Sequence, residues 1–180
     1  MIDTHNTNNH DYDIHVSLHI DDADMNPPKA FNQGLLDDIS SSVLRHATVP
    51  KTLPPSQNIQ LSLAITTDDN IQKLNKQYRD KDKPTNVLSF SFLDENGLDL
   101  PPDMPFFLGD IIISHETIMR EAAEQEKTPL NHYIHMFVHG CLHVLGYDHE
   151  NDAEAEEMEA LEIQILSEID IPNPYIDTNT

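Results

Sequence analysis

The segment from His139 to His149, HGCLHVLGYDH, combines residue types and spacings that can hold a catalytic metal ion. Side chains four positions apart lie on one face of a helix, so His139 and His143 can direct two imidazoles at a common point. Gly146 can end that helix, because glycine takes a positive φ without steric cost, and the chain can then fold back to offer His149. Three imidazoles and one open position are typical of catalytic zinc. The spacing therefore predicts one Zn²⁺ ion bound by His139, His143 and His149.

The alternative interpretation of this segment is a helix that contains several half-buried histidines, since His132 and His135 lie on it as well. His135 is one helical turn before His139, so its side chain either lines the metal pocket, relays protons or is an ordinary packed histidine. Cys141 is two residues from His139 and should project away from the metal into the core. Two histidines four apart, a glycine and a third histidine together favour the metal site.

Two carboxylates near these motifs have open interpretations. Asp148 precedes the third histidine and either orients an imidazole of the metal site or serves as a turn residue. Asp110 lies in an apolar run, LGDI, where a buried carboxylate requires a partner. We expect Asp110 to have a structural role or to support a metal ligand.

The residue that follows the first histidine argues against peptide hydrolysis. Zinc metalloproteases with two helical histidines carry a glutamate at that position, and it acts as the general base. Here the position is Gly140. A protease of that mechanism would therefore lack its base, although the metal spacing is similar.

The elements that must position the histidines form a mixed pattern. Period-two alternation or apolar runs predict four strands, at 12–20, 59–65, 87–92 and 106–113. Helical spacing and capping residues predict five helices, at 34–46, 67–78, 114–125, 128–145 and 152–168. We expect the second helix to carry Ile71, Leu74 and Tyr78 as its apolar stripe, and the last helix to bury Met158, Leu161 and Ile165 and to expose a row of glutamates. This order predicts an α+β fold in which a small mixed four-stranded sheet packs with about five helices.

The domain prediction is a single metallohydrolase domain over 12–171, with a disordered polar tail over 1–11 and a flexible tail over 172–180. No run approaches the ~20 apolar residues that a membrane helix needs, and the polar N-terminus lacks the apolar region of a secretory signal. Cys141 is the only cysteine, so no internal disulfide can form. These features together predict a cytoplasmic protein without membrane association.

The charge balance limits how the chain can contact nucleic acid. Ten basic and 32 acidic residues give a formal net charge of −22, which repels phosphate backbones on average. We therefore expect any RNA contact to be local and protein partners to help recruit it. Half of the basic residues fall within 73–83, either as an RNA contact or as a solvated helix face. They are Lys73, Lys76, Arg79, Lys81 and Lys83.

Three motifs resemble the YbeY family of bacterial endoribonucleases and rRNA maturation factors. The first is the histidine segment 139–149. The second is LNKQYR at 74–79 followed by KDKPTNVLSF at 81–90, and the third is LGDI at 108–111. They occur in the order typical of the family, and the resemblance spans about residues 60–168.

The resemblance implies an α+β metallohydrolase fold and a three-histidine zinc site on His139, His143 and His149. It also implies cleavage of single-stranded RNA, in 16S rRNA 3′ end maturation and in ribosome quality control. Arg79 occupies the position of the family's motif arginine, so Arg79 and the ligand His139 are the expected catalytic residues. The implied substrate is single-stranded RNA, in particular rRNA, and the acidity of the chain adds ribosomal proteins or the small ribosomal subunit as expected partners.

The chemistry expected from these residues is phosphodiester hydrolysis. Zinc lowers the pKa of a bound water toward ~7, and the planar guanidinium of Arg79 can offset charge on the phosphate. Arg79 is otherwise a partner in a surface salt bridge. The nucleophile is either the metal hydroxide or a 2′-hydroxyl of the substrate. The alternative functions are a metalloprotease-like hydrolase and a non-catalytic, zinc-containing ribosome-assembly factor.

Overall fold

The computed structural model describes residues 12–49, 53, 58–93, 101 and 103–176. The predicted tail over 1–11 and the last four residues of the predicted tail over 172–180 lie outside these ranges. The described residues form four strands and five helices, which agrees with the α+β prediction. In chain order the elements are β1 (Ile14–Ile20), α1 (Gln33–His46), β2 (Ile59–Thr66), α2 (Asp68–Arg79), β3 (Val87–Ser91), β4 (Phe106–Ser114), α3 (His115–Glu124), α4 (Pro129–Val144) and α5 (Asp152–Glu168).

The strands form one mixed sheet in the order β1-β2-β4-β3. β1 and β2 are parallel, as are β2 and β4, whereas β3 lies antiparallel to β4 at the edge of the sheet. The parallel strands require long connections, which α1 supplies between β1 and β2. The predicted mixed four-stranded sheet is thereby confirmed.

One face of the sheet forms the core, as the alternation in the sequence predicts. In β1 and β2 the paired residues Val16 and Leu61 are buried, and so is Leu63 farther along β2. The intervening residues His15 and His19 lie on the other face and are exposed. Because successive side chains of a strand point to opposite faces, this single alternation decides which face the helices cover.

The helices begin at N-capping side chains that the sequence predicts. Thr67 accepts a hydrogen bond from the backbone N–H of Asn70, and Thr128 accepts one from Asn131 at the start of α4. Pro129 follows Thr128 as the first residue of α4, where the missing N–H costs nothing. The cap at Thr128 and the proline after it fix the start of α4, the helix that carries His139 and His143.

α4 is the central helix, and it contacts β3, β4, α1, α3 and α5. It approaches the sheet most closely at Gly140, where an added Cβ would lie 2.8 Å from Ile111 Cγ2 and 3.2 Å from Ser89 Oγ. Real side chains essentially never make the first of these contacts. The position after His139 therefore faces the sheet and has no room for the glutamate of a metalloprotease.

Two side chains lie differently from the sequence-based expectation. Tyr78 is 59% exposed rather than buried in the stripe of α2, and its ring packs against the ring of Phe90 at 5.2 Å. The buried side of α2 consists of Ile71 and Asn75, so the last turn of the helix extends past the core. Glu162 is 0% exposed, although the glutamates of α5 were predicted to face solvent. Its position faces α4, as described below.

None of the helices in the described ranges has the length and apolar content needed to cross a lipid bilayer.

Replacing Gly140 by alanine should destabilise the fold, because the new methyl group overpacks the contact between α4 and β4. We expect the free energy of unfolding to fall by about 1–3 kcal/mol in urea denaturation. Gly34→Ala is the matched control, since a Cβ there meets only Asn32 Oδ1, at an ordinary 3.6 Å. A Gly140→Ala protein as stable as the Gly34→Ala protein would contradict the close approach of α4 to the sheet.

Candidate metal centre

The C-terminal end of α4 turns the chain back toward its own last turn. Gly146 has a φ of 99°, a conformation that favours glycine. The backbone N–H of Gly146 donates to the carbonyl of His143, and that of Tyr147 donates to the carbonyl of Leu142, both at 3.0 Å. This pair of hydrogen bonds is a Schellman motif. The predicted glycine stop is present, and it brings His149 back beside the helix.

The three predicted metal ligands lie together. Ligand nitrogens of His139, His143 and His149 are all within 4.8 Å of one another. The ring centroids of His139 and His143 are 4.6 Å apart, and the ring of His149 is 5.6 Å and 5.0 Å from them. The first two histidines are half-buried on α4, whereas His149 is exposed. The group is therefore open to solvent on one side.

On α4, hydrogen bonds at the Nδ1 atoms of His139 and His143 determine which ring nitrogen of each residue is available to a metal. His143 Nδ1 is 2.9 Å from the carbonyl oxygen of Tyr147, and His139 Nδ1 is 2.5 Å from Glu162 Oε1. Both acceptors require the proton on Nδ1, which leaves a lone pair on each Nε2. These two Nε2 atoms face each other at 3.0 Å. Two lone pairs at this distance repel unless a cation lies between them, so the residues present fit a metal ion.

The protonation state of His143 also suits metal binding. Burial, together with the neighbouring imidazoles of His139 and His149, lowers the pKa of His143 to about 4. The ring is therefore neutral near pH 7. Neutral imidazole is the form that binds a metal, so no proton has to be displaced from His143.

Glu162 is a fully buried carboxylate beside the first ligand. Besides the contact with His139, it accepts hydrogen bonds from His135 Nε2 at 2.8 Å and from the hydroxyl of Tyr175. Burial raises the pKa of Glu162, but hydrogen bonds and charges from His135 and His139 outweigh burial and hold this pKa at about 2. The carboxylate is therefore ionised.

A buried negative charge requires a positive one nearby. Among the residues that the structure describes, the ion-pair partners of Glu162 are His135 and His139, and no lysine or arginine takes part. The compensating charge must therefore lie on the imidazole side. A divalent cation on His139 Nε2 would supply it, in the carboxylate–histidine–metal arrangement of many metal sites. The burial of Glu162 thus supports a metal independently of the histidine spacing.

Sequence reasoning missed Glu162, although one signal was present. Glu162 follows Met158 by four residues and precedes Ile165 by three, so it falls within the apolar stripe of α5. A glutamate inside such a stripe is buried and needs a partner. The contact between Tyr175 and Glu162 could not be predicted from local spacing, because Tyr175 lies 13 positions after Glu162, beyond the end of α5.

The remaining residues considered from sequence fall outside the ligand group. His135 is buried; it shares the carboxylate of Glu162 with His139, and its ring meets that of His139 edge-on with centroids 6.5 Å apart. Asp148 accepts a hydrogen bond from the backbone N–H of His149 at 2.8 Å, which favours the turn interpretation. Cys141 is buried in the core, and burial raises the pKa of its thiol, as core packing predicts.

Asp110 lies on β4, paired with Ser62 of β2 and Phe90 of β3. The next residue, Ile111, faces Gly140 of α4, so alternation places Asp110 on the opposite face of the sheet. Its half-buried carboxylate is thus separated from the metal ligands by the sheet.

Arg79 is the last residue of α2 and is exposed. Within the described ranges it makes no ion pair and no hydrogen bond with the three histidines. Its neighbour Tyr78 packs on Phe90, and the next residue of β3, Ser91, donates a hydrogen bond to the carbonyl of Val144 at 2.7 Å. These two contacts involve adjacent residues of β3, whose side chains point to opposite faces of the sheet.

The other basic residues of 73–83 are exposed as well. Lys76 pairs with Asp82 at 2.7 Å. The structure thus leaves Arg79 without the surface salt bridge considered as its alternative role, as far as the described residues extend.

The fold and the site together define an α+β protein with a candidate three-histidine metal centre at the open end of its central helix. The chain belongs to the Endoribonuclease YbeY family, whose model matches residues 14–170. Endoribonuclease YbeY of Colwellia psychrerythraea is 48% identical over 123 residues, which cover 68% of this chain and 76% of the relative. The protein of that name from Francisella tularensis subsp. novicida is 51% identical over 119 residues, covering 66% and 72%. That of Nitrobacter winogradskyi is 53% identical over 116 residues, covering 64% and 61%.

A solved structure agrees with the fold. The solution structure of TM1509 from Thermotoga maritima matches with a TM-score of 0.50 and 21% identity, over 93% of this chain and 99% of that chain. The family resemblance, the α+β class and the endoribonuclease class predicted from sequence are confirmed by these matches. The roles of individual site residues stay predictions.

Replacing Glu162 by glutamine should weaken metal binding, because the amide cannot balance the charge of the metal or hold His139 Nδ1 as a carboxylate does. We expect the affinity for Zn²⁺ or Co²⁺ to fall about 10–100-fold in competition with a chromophoric chelator.

Glu156→Gln, a change at an exposed position of the same helix, is the matched control and should keep the affinity of the unmodified protein. Circular dichroism checks that helix content is equal in both variants. Equal metal affinity in the two would show that Glu162 has no part in the metal centre.

Proposed function

We propose that this protein is a zinc-dependent endoribonuclease that cleaves single-stranded RNA at the site formed by His139, His143 and His149. The observation that carries this proposal is the convergence of the three imidazoles, with two Nε2 lone pairs turned to one point and an open side toward solvent. An open position is what separates catalytic from structural zinc sites. The family of the chain supports RNA as the substrate.

Zinc is the metal that these ligands favour. Imidazole nitrogens suit zinc, copper, iron and nickel, whereas magnesium, calcium and manganese favour oxygen ligands. Three protein ligands plus one free position are the usual donor set of hydrolytic zinc. Zinc in this group would supply a Lewis acid and a water acidic enough to react near neutral pH.

The protein's own residues provide position and charge. Glu162 and the carbonyl of Tyr147 hold the two imidazoles of α4 with their Nε2 atoms toward the open side. We propose that Arg79 binds the phosphate of the substrate. Its guanidinium is exposed at the end of α2, and its planar donors match a phosphate group in two hydrogen bonds. Charge that develops on the phosphate would be offset there.

The acidity of the chain bears on how RNA is recruited. With a net charge of −22, attraction to RNA is confined to local sites such as the exposed basic residues of 73–83. We propose that the substrate is rRNA, cut in the maturation of the 16S rRNA 3′ end and in ribosome quality control in the cytoplasm. Ribosomal proteins or the small ribosomal subunit would present it, and the exposed glutamates of α5 offer a complementary surface to a basic protein.

The packing of Gly140 argues against a metalloprotease. The general base of those enzymes would have to extend from this position into the cleft, yet here the position faces Ile111 and Ser89 in the sheet. Hydrolysis of peptides by that mechanism is therefore not proposed.

Removing one metal ligand should abolish metal binding and RNA cleavage together. For His143→Ala we expect less than one zinc per chain by elemental analysis and no cleavage of single-stranded RNA, because two imidazoles leave the ion short of ligands. The unmodified protein should cleave RNA but not casein, and a chelator should stop the reaction. His19→Ala, at an exposed histidine of β1, is the control and should keep both properties. Full zinc content in His143→Ala would reject the ligand assignment.

Reversing the charge of Arg79 should separate catalysis from metal binding. We expect Arg79→Glu to keep its zinc and to lose about 100-fold or more in kcat/KM on single-stranded RNA, since a charge-stabilising donor is replaced by a repelling one. Arg79→Lys should recover part of the rate, because it keeps the charge without the planar fork. Arg45→Glu makes the same charge change on α1 and is the control. Turnover unchanged in Arg79→Glu would show that this residue does not touch the substrate.

A further inference from the structure

A cleft adjoins the metal centre on the side of α5. Its volume is about 290 Å³, and two of the candidate metal ligands, His139 and His149, form one wall. Ala155, Met158 and Glu159 form the α5 wall, where spacings of three and four residues place them on one helix face. Any group bound at the metal is therefore next to this cleft.

The side chains that line the cleft suit a planar ligand with apolar faces, such as an aromatic ring. Met158 is 1% exposed and forms a packed floor with Ala155, whereas Tyr175, which also lines the cleft, is 43% exposed. The hydroxyl of Tyr175 is held by Glu162, so its ring is positioned before any ligand arrives. A fixed aromatic ring beside an apolar floor is the kind of surface on which an unpaired nucleobase stacks.

The charge of the cleft excludes a phosphate as its occupant. Within the described ranges no lysine or arginine lines it. The exposed acidic group of the cleft is the carboxylate of Glu159. Burial, then Glu162 and last Glu159 raise the pKa of Tyr175. An ionised carboxylate only accepts hydrogen bonds, so a neutral ligand with N–H donors complements it.

We propose that this cleft binds one unpaired nucleobase next to the bond that is cut, and that Glu159 makes guanine the favoured base. The inference rests on the proposed function, because the neighbouring phosphate must occupy the metal centre. Guanine alone among the four RNA bases presents two adjacent N–H donors, N1–H and the 2-amino group, on its Watson–Crick edge. On the Watson–Crick edges of adenine, cytosine and uracil, a hydrogen-bond acceptor lies next to the N–H donor. That acceptor would face a carboxylate oxygen of Glu159 and be repelled by it.

Short single-stranded RNAs that differ at one base test this selectivity. The probes are oligoadenylates with a single guanosine, inosine or adenosine, and the measurements are cleavage rate at that base and binding by fluorescence anisotropy. We expect about a tenfold preference for guanosine over adenosine, as for a bidentate contact, with inosine between them because it lacks the 2-amino group. In Glu159→Gln the ratio of guanosine to adenosine should fall close to one.

Glu156→Gln is the control, since this exposed residue is on α5 outside the cleft, and it should keep the ratio of the unmodified protein. Zinc content is measured in each variant to separate base selection from metal loss. Equal rates for the three probes, or a guanosine preference that survives Glu159→Gln, would overturn the inference. If no RNA is cleaved but anisotropy still shows the preference and its loss in Glu159→Gln, the base site stands and the proposed function fails.

Discussion

The contact between the Glu162 carboxylate and His139 is the interaction on which the geometry of the site depends. An ionised carboxylate with no exposed surface is unfavourable unless every partner is in place. Its partners come from α4 and from the segment after α5. One carboxylate on α5 therefore ties α4, α5 and that segment together. The same contact turns His139 Nε2 outward. The contact between Glu162 and His139 therefore both stabilises the packing of α4 on α5 and orients His139 for a metal ion.

Close packing of α4 on the sheet supplies the second constraint. Gly140 lets the helix approach β3 and β4 without a gap, and this approach fixes which side of α4 faces the core. With Gly140 against the sheet, His139 and His143 are directed toward the end of the helix that stays open. A helix lying farther from the sheet could rotate, and the imidazoles would then lose their common point. The glycine thus affects the metal centre although it does not contact it.

Local spacing is what made much of this structure predictable. The alternation in β1 and β2, the caps Thr67 and Thr128 and the stop at Gly146 depend on neighbours within a few residues, and each appears as expected. The ligand histidines lie within 11 residues, so their convergence also followed from helix geometry.

The features that escaped prediction depend on distant contacts. The apolar stripe of α5 signals that Glu162 is buried, but its partners His139 and His135 lie 23 and 27 positions away, and no local pattern reveals that they pack on it. Tyr78 has helical spacing with Ile71, but the last turn of α2 extends past the core, and a sequence does not show where the core ends. The three candidate metal ligands are divided between α4, which carries His139 and His143, and the turn after it, which carries His149. This division has a consequence for how an ion would leave the site. Two imidazoles belong to the most buried helix and the third to an exposed turn, so an ion bound as proposed would depart by local opening of that turn while the core stays intact. Exchange of the ion with the medium would then be governed by the kinetics of one short segment rather than by global unfolding.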